Sequence, residues 1–202
     1  MRVTAQVQAA TRERILEVAQ ELFASHGFEA ATTRDIARAA GIATGTMFNY
    51  FSSKEAVVGC LAARAMGNLK PNYGRADGED STTLEEDLFA FVAAGLRKLK
   101  PIRRHLPAVL GTTLSPLRAD ADENVRVLRV SHLEAVEELA HRHGLGELPP
   151  TAMQMYWSLY TGVLLFWASD TSPHQEDTLA LLDHSLEMFV SWLLTQTKSQ
   201  KG

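Results

Sequence analysis

The chain has 202 residues, 46% of them hydrophobic and 22% charged, with one cysteine. A chain of that length and composition buries its own core, which excludes a disordered chain, a collagen-like fibre and a disulfide scaffold. Twenty Lys and Arg against 24 Asp and Glu give a net charge of −4, so charge alone does not point to nucleic acid.

Glycine and proline divide the sequence into helical stretches. No apolar signal segment occurs in Met1–Ala10, and with the lone Cys60 this favours a cytoplasmic location. The first helix is expected from about Thr11 to His26, with Ile15, Val18, Ala19, Leu22 and Phe23 on one face and Gly27 as its stop. Thr32-Thr33-Arg34-Asp35 reads as the start of a second, ended by Gly41. A very short third helix spans Thr44 to about Tyr50, and a fourth runs from Lys54 to about Leu69. Residues 71–81, rich in Gly, Asp and Glu, read as an exposed linker.

Thr83-x-x-Glu86 is a capping box for a helix to about Lys100, with Leu88, Phe89, Val92 and Leu96 inward. Pro101, Pro107 and Gly111 frame a short helix around 105–110. The run Val125–Val130 alternates like a strand. Val125, Leu128, His132, Val136, Leu139 and His143 nevertheless continue as a helical stripe that Gly144 closes. Pro150–Ala168 and Glu176–Gln196 complete the chain. Residues 148–169 carry no charge and approach the ~20 residues of a membrane span. They open on Pro149-Pro150 and contain Gln154, Ser158, Thr161 and Gly162, so a buried helix is expected and no membrane partner. The fold class is all-α, with about nine helices and no internal repeat.

Thr33–Lys54 holds two short helices joined by a tight turn containing Gly41, the pattern of a helix-turn-helix. Ala37 permits close approach of the helices, and Ile42 and Met47 pin the second to the first. Thr44, Gly45, Thr46 and Asn49 then lie at the exposed start of the second helix, the part of such a motif that enters the major groove. Tyr50, Ser52, Ser53 and Lys54 follow as partners for phosphate oxygens.

The segments R-x-x-I-L-x-x-A-x-x-L-F at Arg12–Phe23, T-x-x-D-I-A-x-A-A-G-I at Thr32–Ile42 and G-T-M-F-N-Y-F-x-S-K-E at Gly45–Glu55 resemble the TetR family of transcriptional regulators. The likeness covers about Thr11 to Leu61. It implies a DNA-binding domain at 11–56 with three helices around the motif, and a helical effector-binding and dimerisation domain at 57–197. DNA contacts are then expected from Thr33, Arg34, Thr44, Gly45, Thr46, Asn49, Tyr50 and Lys54. The resemblance makes Thr33 the cap of the second helix and sets the Lys54 amine on a phosphate. Two departures stand out: Ala43 replaces a usual capping serine, leaving Thr44 as the alternative cap, and Phe48 replaces a usual tyrosine.

The same resemblance implies a small-molecule pocket among the helices from Leu84 onward and a two-fold interface from the last two. Phe89, Leu96, Leu110, Leu128, His132, Trp157 and Tyr160 are the candidate pocket residues, with an effector of hydrophobic or aromatic character. His132 breaks the apolar stripe of its helix, either as a satisfied core histidine or as a polar anchor for that effector. Phe166, Leu182, Leu186, Phe189 and Leu193 are the candidate interface of a homodimer. No metal or cofactor is expected: His141 and His143 diverge on a helix, and no nucleophile elbow, zinc-protease motif, P-loop or dinucleotide fingerprint occurs. The expected function is therefore a non-enzymatic repressor, released from a palindromic double-stranded operator by a small molecule. The alternatives are a regulator without a dedicated effector, activating or pleiotropic, and a small-molecule-binding helical protein with a decayed DNA motif.

Overall fold

The structure, a computed structural model, describes residues 4–67, 82–107, 110 and 123–199. Among the described residues there is no strand. The elements in order are α1 (Ala5–His26), α2 (Thr33–Ala39), α3 (Thr44–Met47), α4 (Lys54–Met66), α5 (Leu84–Leu99), a 3-10 turn (Lys100–His105), α6 (Glu123–Arg142), α7 (Pro150–Ser169), a second 3-10 turn (Pro173–Gln175) and α8 (Glu176–Ser199). The expected linker at 71–81 and the inward Leu69 lie outside the described residues. So does part of the expected 105–110 helix, of which Leu106, Pro107 and Leu110 are helical.

The chain forms two compact units, one from the described residues of 1–64 and 102–125, the other from those of 65–101 and 126–202. The first boundary falls inside α4, after Arg64, whose guanidinium is 2.7 Å from the Glu13 carboxylate of α1.

In the first unit α1 begins two turns earlier than its apolar stripe. Thr4 caps it by accepting from the Val7 amide, and residues 5–10 are exposed throughout. Those turns rest on Ala and Gln propensity and a cap rather than on burial, which is why hydrophobic periodicity does not register them. Ile15, Leu16, Ala19 and Phe23 are the buried stripe, and Gly27 at φ +83° ends the helix. α2 opens on a complete capping box. Thr32, not Thr33, is the cap: its hydroxyl accepts from the Asp35 amide while the Asp35 carboxylate accepts from the Thr32 amide. At its other end the Gly41 amide bonds to the Arg38 carbonyl and the Ile42 amide to the Ala37 carbonyl. This Schellman closure requires the left-handed backbone that Gly41 supplies at φ +66°. α2 contacts both α1 and α3, with Ile36, Ala37 and Met47 buried.

In the second unit the Thr83–Glu86 capping box starts α5 as expected. Phe91 is buried there and Phe89 half-buried, so Phe91 rather than Phe89 belongs to the core stripe. The acidic run at α5's start is accounted for locally. Glu86 caps, and Asp87 lies 2.8 Å from the His143 ring nitrogen just beyond α6. α8 packs against α5 and α7. Its Leu182, Leu186, Phe189 and Leu193 are at most 3% exposed within their own chain. Of the five expected interface residues these four pack within their own unit, while Phe166 is 42% exposed. Chain-level exposure falls instead on Met155, Leu165 and Phe166 of α7 and on Leu181, Met188 and Leu194 of α8.

The α7–α8 connection is tied by Asp170, whose carboxylate accepts from the Thr178 hydroxyl and from the amides of Thr178 and Ser172. The Thr178 hydroxyl and then the Ser172 contact hold that carboxyl down to about 2. Among the described residues no helix is long and apolar enough to cross a membrane.

Candidate functional site

The turn after α2 fixes what α3 can present. Met47 is fully buried, and the Tyr50 and Phe51 amides bond back to its carbonyl, so the chain continues as tight turns beyond the four-residue helix. With Met47 and Phe51 inward, Gly45, Phe48 and Asn49 are exposed while Thr44, Thr46 and Tyr50 are half-buried. These six residues form one surface strip. Ala43 is the cap position of α3 and provides no side-chain hydrogen bond, and Thr44 is already the first helical residue. Thr44 therefore does not take over capping, and its hydroxyl is left for other partners. Phe48 is 51% exposed, a large apolar ring beside Asn49 on the same strip. An apolar ring at this point suits contact with a thymine methyl.

Around the strip, Thr33 is half-buried in the first turn of α2 and Arg34 is exposed with no ion pair to a described residue. Arg38, by contrast, is spent on Asp35 at 2.6 Å, and the Thr32 contacts together with Arg38 lower the Asp35 carboxyl. Lys54 departs most from its expected role. Its amine donates to the Phe28 carbonyl at 2.8 Å and lies 4.2 Å from the Phe28 ring centroid and 3.9 Å from the Glu29 carboxylate. This lysine fastens the start of α4 to the 28–29 turn, and a phosphate would have to compete with those partners. The Ser53 hydroxyl, accepting from the Ala56 amide at 3.2 Å, caps α4 in turn.

The second unit gathers some of the expected pocket residues and separates others. His132 of α6 is 4% exposed and surrounded by rings. Tyr160 is stacked on it at 4.1 Å between centroids, Phe91 is 5.0 Å away, Tyr156 5.7 Å and Trp157 6.0 Å. Burial alone pushes the His132 imidazole down to about 3, so it is neutral at pH 7, and burial raises both tyrosine hydroxyls above their ordinary range. Leu96 lies elsewhere, lining a separate cavity of about 240 Å³ with Trp167, Thr178 and Gln175. Leu110 belongs to the first unit, and Phe89 and Leu128 are half-buried. Periodicity could nominate these residues but not sort them, because one stripe serves several neighbours. Among the described residues no three His, Cys, Asp or Glu side chains could hold a metal together.

A Gly-closed helix-turn-helix with a partly exposed strip on its second helix is the arrangement that sets such a helix in a DNA major groove. Residues 15–59 match the sequence profile of the bacterial regulatory proteins, tetR family. MftR of Mycobacterium tuberculosis is 52% identical over 50 residues, 25% of each chain. The transcriptional repressor KstR2 of Rhodococcus jostii is 42% identical over 77 residues, 37% of this chain and 38% of that one. The matches thus span about a quarter to two-fifths of those relatives' length. The crystal structure of FadR from Thermus thermophilus, a TetR-family repressor in complex with lauroyl-CoA, shares the fold at a TM-score of 0.67 and 23% identity, covering 89% of this chain and 93% of that one. Residues 15–59 thus match a tetR-family domain, and the chain shares the fold of a TetR-family protein.

Proposed function

We propose that this chain is a dimeric, sequence-specific DNA-binding repressor that leaves a palindromic operator when a small molecule binds its second unit. The observation that carries the DNA reading is the Thr44–Tyr50 strip. It is held by buried Met47 and the Gly41 closure, and it lies within the segment that matches the family profile. In this reading Thr44, Gly45, Thr46 and Asn49 meet base edges, Phe48 packs on a thymine methyl, and Thr33, Arg34 and Tyr50 meet the backbone. Lys54 serves as a strut behind them.

Dimerisation sets two such strips on one duplex, with half-sites about one helical turn (~34 Å) or slightly more apart. The surface that fits this role is the exposed apolar set Leu165, Phe166, Leu181 and Met188 on adjacent α7 and α8. Support for a small-molecule effector comes from the ring cluster around His132 and from the lauroyl-CoA bound by the T. thermophilus fold relative. Effector and operator then oppose each other reciprocally, so operator DNA weakens the effector by the factor that the effector weakens DNA binding.

Selection of bound duplexes from a random pool by the purified protein is the test. One enriched inverted repeat is expected. Folded protein that enriches no motif contradicts the reading.

A further inference from the structure

Only one of the two ring nitrogens of His132 meets a partner among the described residues. His132 Nε2 lies 3.0 Å from the Tyr156 hydroxyl, which is itself buried and has no other hydrogen bond among the described residues. Among the described residues His132 Nδ1 is buried without a hydrogen-bond partner. A neutral imidazole carries one N–H and one acceptor nitrogen. If Nε2 held the proton it would donate to the tyrosine oxygen, stranding both the tyrosine proton and an acceptor at Nδ1. If the tyrosine donates to Nε2, only one group is stranded, an N–H at Nδ1. Buried polar groups are almost always satisfied, so the second arrangement is favoured and its one open donor calls for a partner.

The donor itself is enclosed, and the rings around it differ in exposure. Trp157 is half-buried and Tyr160 keeps 6% of its surface accessible. The Arg129 guanidinium lies over the Trp157 ring at 5.3 Å, and its nitrogen donates to the Gln154 side chain at 2.7 Å. The walls are aromatic, and the polar demand inside them is for a single acceptor.

We propose that His132 is the specificity determinant of a binding site for an uncharged, largely apolar or aromatic molecule bearing a carbonyl oxygen, which accepts from His132 Nδ1–H between Phe91, Trp157 and Tyr160. This rests on the effector reading above and names its ligand class. Tyr156 acts through His132, fixing the ring's tautomer from the opposite side.

Two measurements on the full-length protein test this. The first is a long-range proton–nitrogen correlation spectrum, which reports which ring nitrogen of His132 carries the proton and needs no variant. Protonated Nδ1 is expected; protonated Nε2 overturns the proposal.

The second compares 2-acetylnaphthalene with 2-isopropylnaphthalene, which replaces the carbonyl by a branched methine, and reads the ratio of their affinities by calorimetry. In His132→Gln, whose amide reaches toward Tyr156 but leaves the Nδ1 position empty, that ratio should fall about 10-fold. His132→Asn, whose amide can donate at the Nδ1 position, should retain the wild-type ratio and guards against a variant that fails to fold. An unchanged ratio in His132→Gln, or no binding of either probe by the wild type, overturns the proposal. Release of an operator duplex is measured separately. Carbonyl-selective binding that leaves DNA affinity untouched refutes the effector-release reading while this assignment stands.

Discussion

At α3 a methyl group stands where a hydroxyl would accept from the helix's first amides: Ala43 has the extended backbone of a cap and no side chain to act as one. Ala43→Ser should therefore stabilise the protein by about 0.5–1 kcal/mol, read as a higher urea midpoint at unchanged slope. No gain would mean that those amides are already satisfied. The buried histidines set the acid limit of stability. His132 takes up a proton near 6.5 when unfolded but only near 3 when folded, and His105, between Phe23 and Phe28, is lowered in the same direction by burial and by Arg104. Between those values the unfolded chain binds more protons. The contribution of His132 is thus complete above about pH 6.5 and lost as pH falls toward 3, by up to about 1.4 kcal/mol per pH unit. Urea midpoints should decline between pH 6 and 4, and His132→Gln should flatten that decline. A flat wild-type profile would contradict the buried, neutral ring. Some of these roles were written in the sequence. Gly41 and the Asp35 box announce themselves because caps and left-handed turns demand particular residues. The Lys54 strut did not, since its partners are carbonyls 25 and 26 residues away and a carbonyl has no residue signature.

Helices were legible wherever one face is buried and the ends are punctuated. α2, α5 and α7 begin at the positions their signals give, whereas the first two turns of α1 have no buried face to betray them. The last helix shows a different limit. Its clearest stripe, Leu182, Leu186, Phe189 and Leu193, marks the helix correctly but not its partner, because an intrachain core and an interface select for the same side chains. The exposed set is less regular, interrupted by His184 and Ser191, and a hydrophobicity scan passes over it. The two faces of α8 should separate in experiment. Leu186→Ala, 3% exposed, should cost roughly 2–4 kcal/mol of stability. Met188→Glu, at 61% exposed, should leave the helical circular dichroism intact and shift the sedimentation coefficient from dimer to monomer. If Met188→Glu remained dimeric, the two-fold surface would lie elsewhere.

The whole molecule carries a net charge of −4, which argues against DNA only if charge is read as a single sum. Residues 1–54 hold six Lys and Arg against five Asp and Glu, and the acidic excess lies in the remainder. Within the first unit, moreover, Arg38 and Lys54 are committed to Asp35 and to the 28–29 turn, which leaves few cations for phosphates. Operator binding should accordingly depend only moderately on salt. With one or two phosphates neutralised per protomer, log K against log salt should slope by roughly −2 to −4. A slope near −10 would mean that phosphate contacts, rather than the α3 strip, dominate.

Operator recognition by this protein depends on α3 and the turn after it reading base sequence. Selection from a random duplex pool, run side by side on the wild type and on Asn49→Ala at one salt concentration, tests it most directly. The wild type should enrich a single inverted repeat. The variant, equally folded, should bind that duplex about 10- to 100-fold more weakly, with base preference relaxed at one position in each half-site. Recovery of the same motif by both proteins with equal affinity would contradict it.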